Sequence, residues 1–106
     1  MTLDQLRRSI DRLDQKIIGL LNQRAGVALL VGRLKQQQGL PILARGREQA
    51  VYDKLAAINT GPLDDEQLNR IYLRIMREMK HLQRRQTANG KTAGRKDKTR
   101  KKAVRR

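Results

Sequence analysis

Arg24 stands where the surrounding pattern calls for an aliphatic residue. Leu6, Leu13, Leu20, Val27 and Leu34 recur every seven residues, and Ile10, Ile17 and Val31 form a companion row. Arg24 fills the gap in that row between Ile17 and Val31. A guanidinium in an apolar helical seam is costly unless a partner, an anion or a water-filled cavity receives it. Lys35 follows eleven residues later, which at about 100° per residue brings it within roughly 20° of Arg24 on one helix face. Two cations three turns apart on one face can hold an anion. Arg7 precedes Arg24 by 17 residues and falls about 100° away around the axis, so it cannot line the same pocket on one straight helix. Two long helices paired antiparallel would bring Arg7 of one chain to Arg24 and Lys35 of the other. The geometry therefore asks for a dimer with shared sites.

Further along, Arg45, Arg47 and Glu48 open a second helix, whose N-terminus itself favours anions. On a third, Gln83 lies one turn beyond Met79, on the face of Met76 and Tyr72, as a polar group continuing an apolar stripe. Asp14 reads as a surface or inter-helix ion-pair partner, and His81, at a basic helix end, as exposed rather than catalytic. Tyr52 and Tyr72 belong to core or interface, since the stripe around each is apolar.

Helices must position these groups. The first starts near Thr2 to Asp4, where either side chain can cap it, and meets no proline before Gly39-Leu40-Pro41. That is about 36 residues, near 54 Å of rod, longer than a domain of this size can bury within itself. Gly19, Gly26 and Gly32 lie inside it, each costing up to about 1 kcal/mol against Ala. Close helix packing and room beside a ligand both fit them. A second helix is expected from about Arg45 to Asn59 with Val51, Leu55 and Ile58 on one stripe, broken by Thr60-Gly61-Pro62. Asp64 then caps a third, in which Leu68, Ile71, Tyr72, Ile75, Met76, Met79 and Leu82 repeat at three and four. The fold class is all-α, in the order long, short, medium, with no β signal.

Composition agrees with that architecture. The 106 residues hold no Phe or Trp, two Tyr and 38% apolar residues, a core thin enough that association between subunits is expected. With no cysteine, disulfide and thiolate chemistry are excluded. One histidine and scattered carboxylates give no metal-ligand cluster. The N-terminus is polar, with no h-region, cleavage site or transmembrane run, which favours the cytoplasm. Residues 84–106 carry 11 Lys/Arg against one Asp, or +10 of the net +15. Residues 1–86 are expected to form the helical domain and 87–106 a disordered basic tail, in which Ala88 to Arg106 lack an apolar pattern. Clustered cations suit weak, non-specific nucleic-acid contact, but without an aromatic for stacking they give no basis for sequence-specific RNA binding.

Taken together, Leu6-Arg7, Ile10, Leu13-Asp14, Leu20-Leu21, Arg24, Val31-Gly32, Lys35, Pro41-Ile42, Arg47-Glu48, Ile71-Tyr72, Glu78 and Gln83 resemble the all-helical chorismate mutases. The resemblance spans about residues 3 to 85. It implies an intertwined homodimer of three helices per chain and a cofactor-free rearrangement of chorismate to prephenate, within aromatic amino-acid biosynthesis. In position-by-position terms, it assigns Arg24 to one substrate carboxylate and Arg7, from across the dimer, to the other. Lys35 would bind a carboxylate and donate to the ether oxygen, with Gln83 as second donor there. Glu48 would accept from the ring hydroxyl, and Arg47 would support the cationic wall. Being an amide, Gln83 would donate without depending on a proton. Ala44 and Met79 depart from the family pattern, where some relatives carry an aspartate at the hydroxyl and a serine at a carboxylate. Those departures bear on affinity more than on reaction type, and Met79 also reads as a core residue of the third helix.

Three other readings fit the residues: a regulatory or inactive homologue, which Ala44 and Met79 keep open; isochorismate pyruvate lyase, on the same fold with a similar dicarboxylate; and a basic helical nucleic-acid-binding protein acting through its tail. Deleting residues 88–106 separates the last from the enzymes. The enzymatic reading expects turnover to stay nearly unchanged. The binding-protein reading expects salt-sensitive nucleic-acid affinity that disappears with the tail.

Overall fold

A computed structural model of the chain describes residues 1–42 and 45–88, and the expectations placed on Ala44 and on residues 89–106 lie outside that range. Three helices follow in order: α1 (Leu3–Gln38), α2 (Arg47–Ile58) and α3 (Asp65–Ala88). Among the described residues there is no strand.

Each helix boundary has a local chemical cause. Thr2 caps α1 in a reciprocal box: its hydroxyl accepts from the Gln5 backbone N–H at 3.1 Å, and the Gln5 side chain accepts from the Thr2 N–H at 2.9 Å. Gly39 ends the helix at φ 69°, a left-handed conformation that costs glycine little, and Leu40 N–H then reaches back to the Lys35 carbonyl at 2.8 Å. Asp64 and Gln67 repeat the reciprocal box ahead of α3, at 2.7 and 3.0 Å. Between α2 and α3, the Asn59 amide ties the bend together by donating to the Leu63 carbonyl and the Asp65 carboxylate.

Two boundaries differ from expectation. The second helix starts at Arg47, because Arg45 and Gly46 form a turn with Gly46 at φ 78°. The third runs through Thr87 and Ala88, two residues past Gln86, with the Thr87 hydroxyl donating to the Gln83 carbonyl at 3.0 Å. Ala88 is thus helical rather than part of an unstructured tail.

α3 packs against both other helices, while α1 and α2 do not pack on each other. The result is a plate of 54 × 34 × 15 Å with a radius of gyration of 17.0 Å, where a compact chain of this length would give about 12–13 Å. Val51, Leu55 and Met76 make up the buried core, flanked by Tyr52, Leu68 and Tyr72. Two glutamines one turn apart fasten α3 to α1. Gln83 Nε2 donates to the Ala28 carbonyl at 2.7 Å. Gln86, its amide oriented by its neighbours, donates to the Leu29 carbonyl at 3.1 Å and accepts from Arg33 at 3.0 Å.

The heptad rows of α1 stay open. Leu13, Leu20, Val27 and Leu34 are 52–62% exposed, and Ile10, Ile17 and Val31 scarcely less so. Gly32 is the helix's buried residue. A groove of about 700 Å³ between Ile17, Leu21 and Ala25 of α1 and Ile71, Ile75 and Leu82 of α3 is likewise apolar. Contrary to the sequence expectation, α1 is long and apolar enough to cross a membrane, with an 18-residue stretch of mean hydropathy 1.3. The aliphatic rows raise that mean, although Asn22, Gln23 and Arg24 interrupt the run. An apolar face this large calls for a cover.

Replacing Asp64 by Ala removes the cap of α3 and should cost about 1 kcal/mol. The melting temperature read by circular dichroism is expected to fall by roughly 4–8 °C.

Candidate active site

Five of the polar side chains singled out from the sequence, Arg24, Lys35, Arg47, Glu48 and Gln83, converge on one hollow at the junction of the three helices. A cavity of about 280 Å³ is lined by Arg24, Val27, Ala28, Val31 and Lys35 of α1, Ile42 of the connection, Arg47 and Glu48 of α2, and Met76, Met79, Lys80 and Gln83 of α3. Its size lies just below the usual range for ligand pockets, about 300–1,000 Å³, which suits a small molecule. Four cations against one carboxylate give the walls a formal charge of +3.

Arg24 is half-buried and turned toward this hollow, so the break in the heptad row is where the seam gives way to a polar cavity. Among the described residues it makes no ion pair. Lys35, three turns further, donates from Nζ to the Ile42 carbonyl at 2.9 Å. That bond fixes the ammonium against the connection and leaves two of its three hydrogens for other acceptors. Arg47 and Glu48 enter from the first turn of α2, where Gly46 provides no side-chain cap. The helix dipole there adds to the positive field.

Glu48 makes no ion pair with Arg24, Lys35 or Arg47. Its Oε2 pairs with Lys80 Nζ at 3.2 Å. Among the described residues this is the ion pair that joins two helices, the others lying within α3. Sequence reasoning passed over Lys80. Its position four residues after Met76 and three before Gln83 places it on the stripe that faces the cavity, and that spacing was the signal available.

Among the described residues Gln83 is the buried polar one, 7% exposed. Its amide nitrogen meets the Ala28 carbonyl within the cavity wall. Gly32, one turn beyond Ala28, is what permits this approach: a Cβ there would stand 3.0 Å from Gln83 Cγ and 3.3 Å from its Cβ. Of the two readings of the α1 glycines, close packing holds at Gly32. Met79 is half-buried and lines both the cavity and the apolar groove behind it.

Arg7 is not brought into this cavity. It is exposed in the second turn of α1, about 25 Å along the helix from Arg24. Asp14 is exposed and without an ion-pair partner among the described residues, and His81 is exposed beside Glu78.

Donors and cations preset around a small hollow can bind a polyanionic molecule in one conformation and stabilise negative charge developing within it. Residues 6–84 match the family model described as chorismate mutase type II. A bifunctional chorismate mutase/prephenate dehydratase of Aquifex aeolicus is 37% identical over 78 residues, covering 70% of this chain. The chain spans 22% of that protein's length. An intracellular chorismate mutase of Mycobacterium tuberculosis is 35% identical over 75 residues, covering 71% of this chain and 69% of the relative. The crystal structure of a chorismate mutase from Helicobacter pylori in complex with prephenate superposes with a TM-score of 0.75 at 29% identity, covering 81% of this chain and 93% of that one. With its matched segment running through all three helices, the chain belongs to the chorismate mutase type II family.

Proposed function

We propose that this chain rearranges chorismate to prephenate, using no cofactor, within a cytoplasmic homodimer whose sites are shared between subunits. The observation that carries the reading is the convergence of Arg24, Lys35, Arg47, Glu48 and Gln83 on one cavity. Chorismate has two carboxylates, a ring hydroxyl and an ether bond. As that carbon–oxygen bond breaks and a carbon–carbon bond forms, negative charge gathers on the ether oxygen, and every atom is retained. Arg24 and the partner's Arg7 would each clamp one carboxylate, selecting the folded conformer in which the reacting carbons meet. Lys35 and Gln83 would donate to the ether oxygen as charge develops there. Glu48, restrained by Lys80, would accept from the ring hydroxyl, and Arg47 would complete the cationic wall.

Pairing is supported by the open heptad face. Covering eight half-exposed aliphatic side chains at about 1 kcal/mol each would contribute on the order of 8 kcal/mol per chain. That is comparable with the whole stability of a small domain, about 5–15 kcal/mol. An antiparallel arrangement along this face also accounts for Arg7, which is exposed and makes no ion pair among the described residues. The intracellular relative supports the cytoplasmic assignment. For the basic segment beyond the domain, weak and salt-sensitive contact with polyanions is the role its charge supports.

Loss of chorismate absorbance tests the activity directly. Arg24→Ala and Lys35→Ala are each expected to lower kcat/KM a hundredfold or more, about 2.7 kcal/mol of transition-state stabilisation. No turnover by a folded, dimeric parent would sink the proposal, and turnover of isochorismate in its place would point to the lyase. Shared sites make a separate prediction. Arg7→Ala and Arg24→Ala homodimers should both be nearly inactive, yet reassembling them together should restore roughly a quarter of parental activity, since half the dimers then hold one intact site. Recovery absent from a mixture shown to contain heterodimers would mean that each site lies within one chain.

A further inference from the structure

Gln83 presents an amide, and an amide can face a cavity with either its oxygen or its nitrogen. Which end faces the developing charge decides whether the residue helps or hinders, because an oxygen turned toward the ether oxygen would repel it. The Ala28 carbonyl is an acceptor only, and Nε2 approaches it to 2.7 Å. The reverse orientation would set two oxygens against each other in a site where Gln83 is 7% exposed and water cannot compensate. One Nε2 hydrogen is therefore committed to Ala28. The second has no partner among the described residues, and Gln83 lines the cavity.

The bond to Ala28 requires the side chain to lie flat along α1, and Gly32 provides the space. A Cβ at position 32 would meet Gln83 Cγ at 3.0 Å, Cβ at 3.3 Å and Cδ at 3.5 Å. These are the inner atoms of the side chain, so relief would require the whole amide to move. By contrast, a Cβ at Gly19 or Gly26 meets nothing within 4 Å.

We propose that Gly32 is a positioning residue, which together with the Ala28 carbonyl locks Gln83 as an obligate hydrogen-bond donor into the cavity. The inference rests on the mutase reading for the acceptor it serves, namely the substrate's ether oxygen. Gly32 touches no substrate and acts through Gln83.

A double-mutant cycle of Gly32→Ala and Gln83→Ala tests this, with kcat, KM and melting temperature measured for all four proteins. Gly32→Ala should lower kcat about tenfold to a hundredfold, as expected when a donor is displaced by an ångström or so, and should move KM by less than about threefold. Once Gln83 is truncated, adding Gly32→Ala should slow turnover no further. In that background Gly32→Ala should lower the melting temperature less than it does in the parent, because the contacts with Cγ and Cδ are gone and only the one with Cβ, at 3.3 Å, remains. A Gly32→Ala protein that keeps parental kcat overturns the proposal. So does one whose loss is equally large in the Gln83→Ala background. If Gly32→Ala alone fails to fold, the double variant must fold, and failure of both also counts against it. A parent that leaves chorismate untouched removes the mutase reading instead. The stability cycle then judges the lock alone, with coupling supporting it and additivity refuting it.

Discussion

A helix of 36 residues in a chain of this size cannot find enough of its own chain to cover it, and the rest of the structure follows from that shortage. α3 covers one side of α1 and little else does, so the heptad face is left open along the rod. What folds within one chain is a thin plate with a core of Val51, Leu55 and Met76. Stability on this scale is marginal alone, and the aliphatic rows of α1 are apolar surface that the chain itself leaves unburied. The same shortage shapes the site. Since α1 and α2 do not pack on each other, a hollow opens where α3 holds both, and the polar groups of all three helices collect there.

That hollow is organised by neutral contacts as much as by charge. The backbone carbonyls of Ile42 and Ala28 hold Lys35 and Gln83, and Lys80 holds Glu48. None of these bonds saturates the group it holds: the ammonium keeps two hydrogens and the amide one. Groups fixed in this way need little rearrangement when a ligand arrives, which is the condition for electrostatic stabilisation of a transition state.

Periodicity made the helices legible, because the heptad rows, the Gly39-Leu40-Pro41 stop and the Asp64 cap are each written in a few adjacent residues. The exact start of α2 turns on Gly46, a local turn signal directly after Arg45 that the apolar stripe of the helix does not register. In the site, Arg24 announced itself by breaking an apolar row, and Gln83 by polarising an apolar stripe. Lys80 did not, for a lysine on a helix is ordinarily solvated, and its spacing from Met76 and Gln83 gains weight only beside Glu48 across the junction. The contact of Gly32 with Gln83 spans about fifty residues of chain and could not be read from either end. Arg7 showed the reverse difficulty: its type and position were plain, and within the chain it stays exposed and apart from the cavity.

Met79 forms part of the wall between the cavity and the apolar groove on the other side of α3. A side chain that fills two compartments at once cannot be adjusted for one without altering the other. A smaller residue there would enlarge the cavity and also loosen the packing of whatever covers the groove. A larger one would tighten the groove while crowding the bound molecule. The demands of the cavity and those of the groove therefore meet at one position. An unbranched, flexible thioether is the kind of side chain that can satisfy both demands.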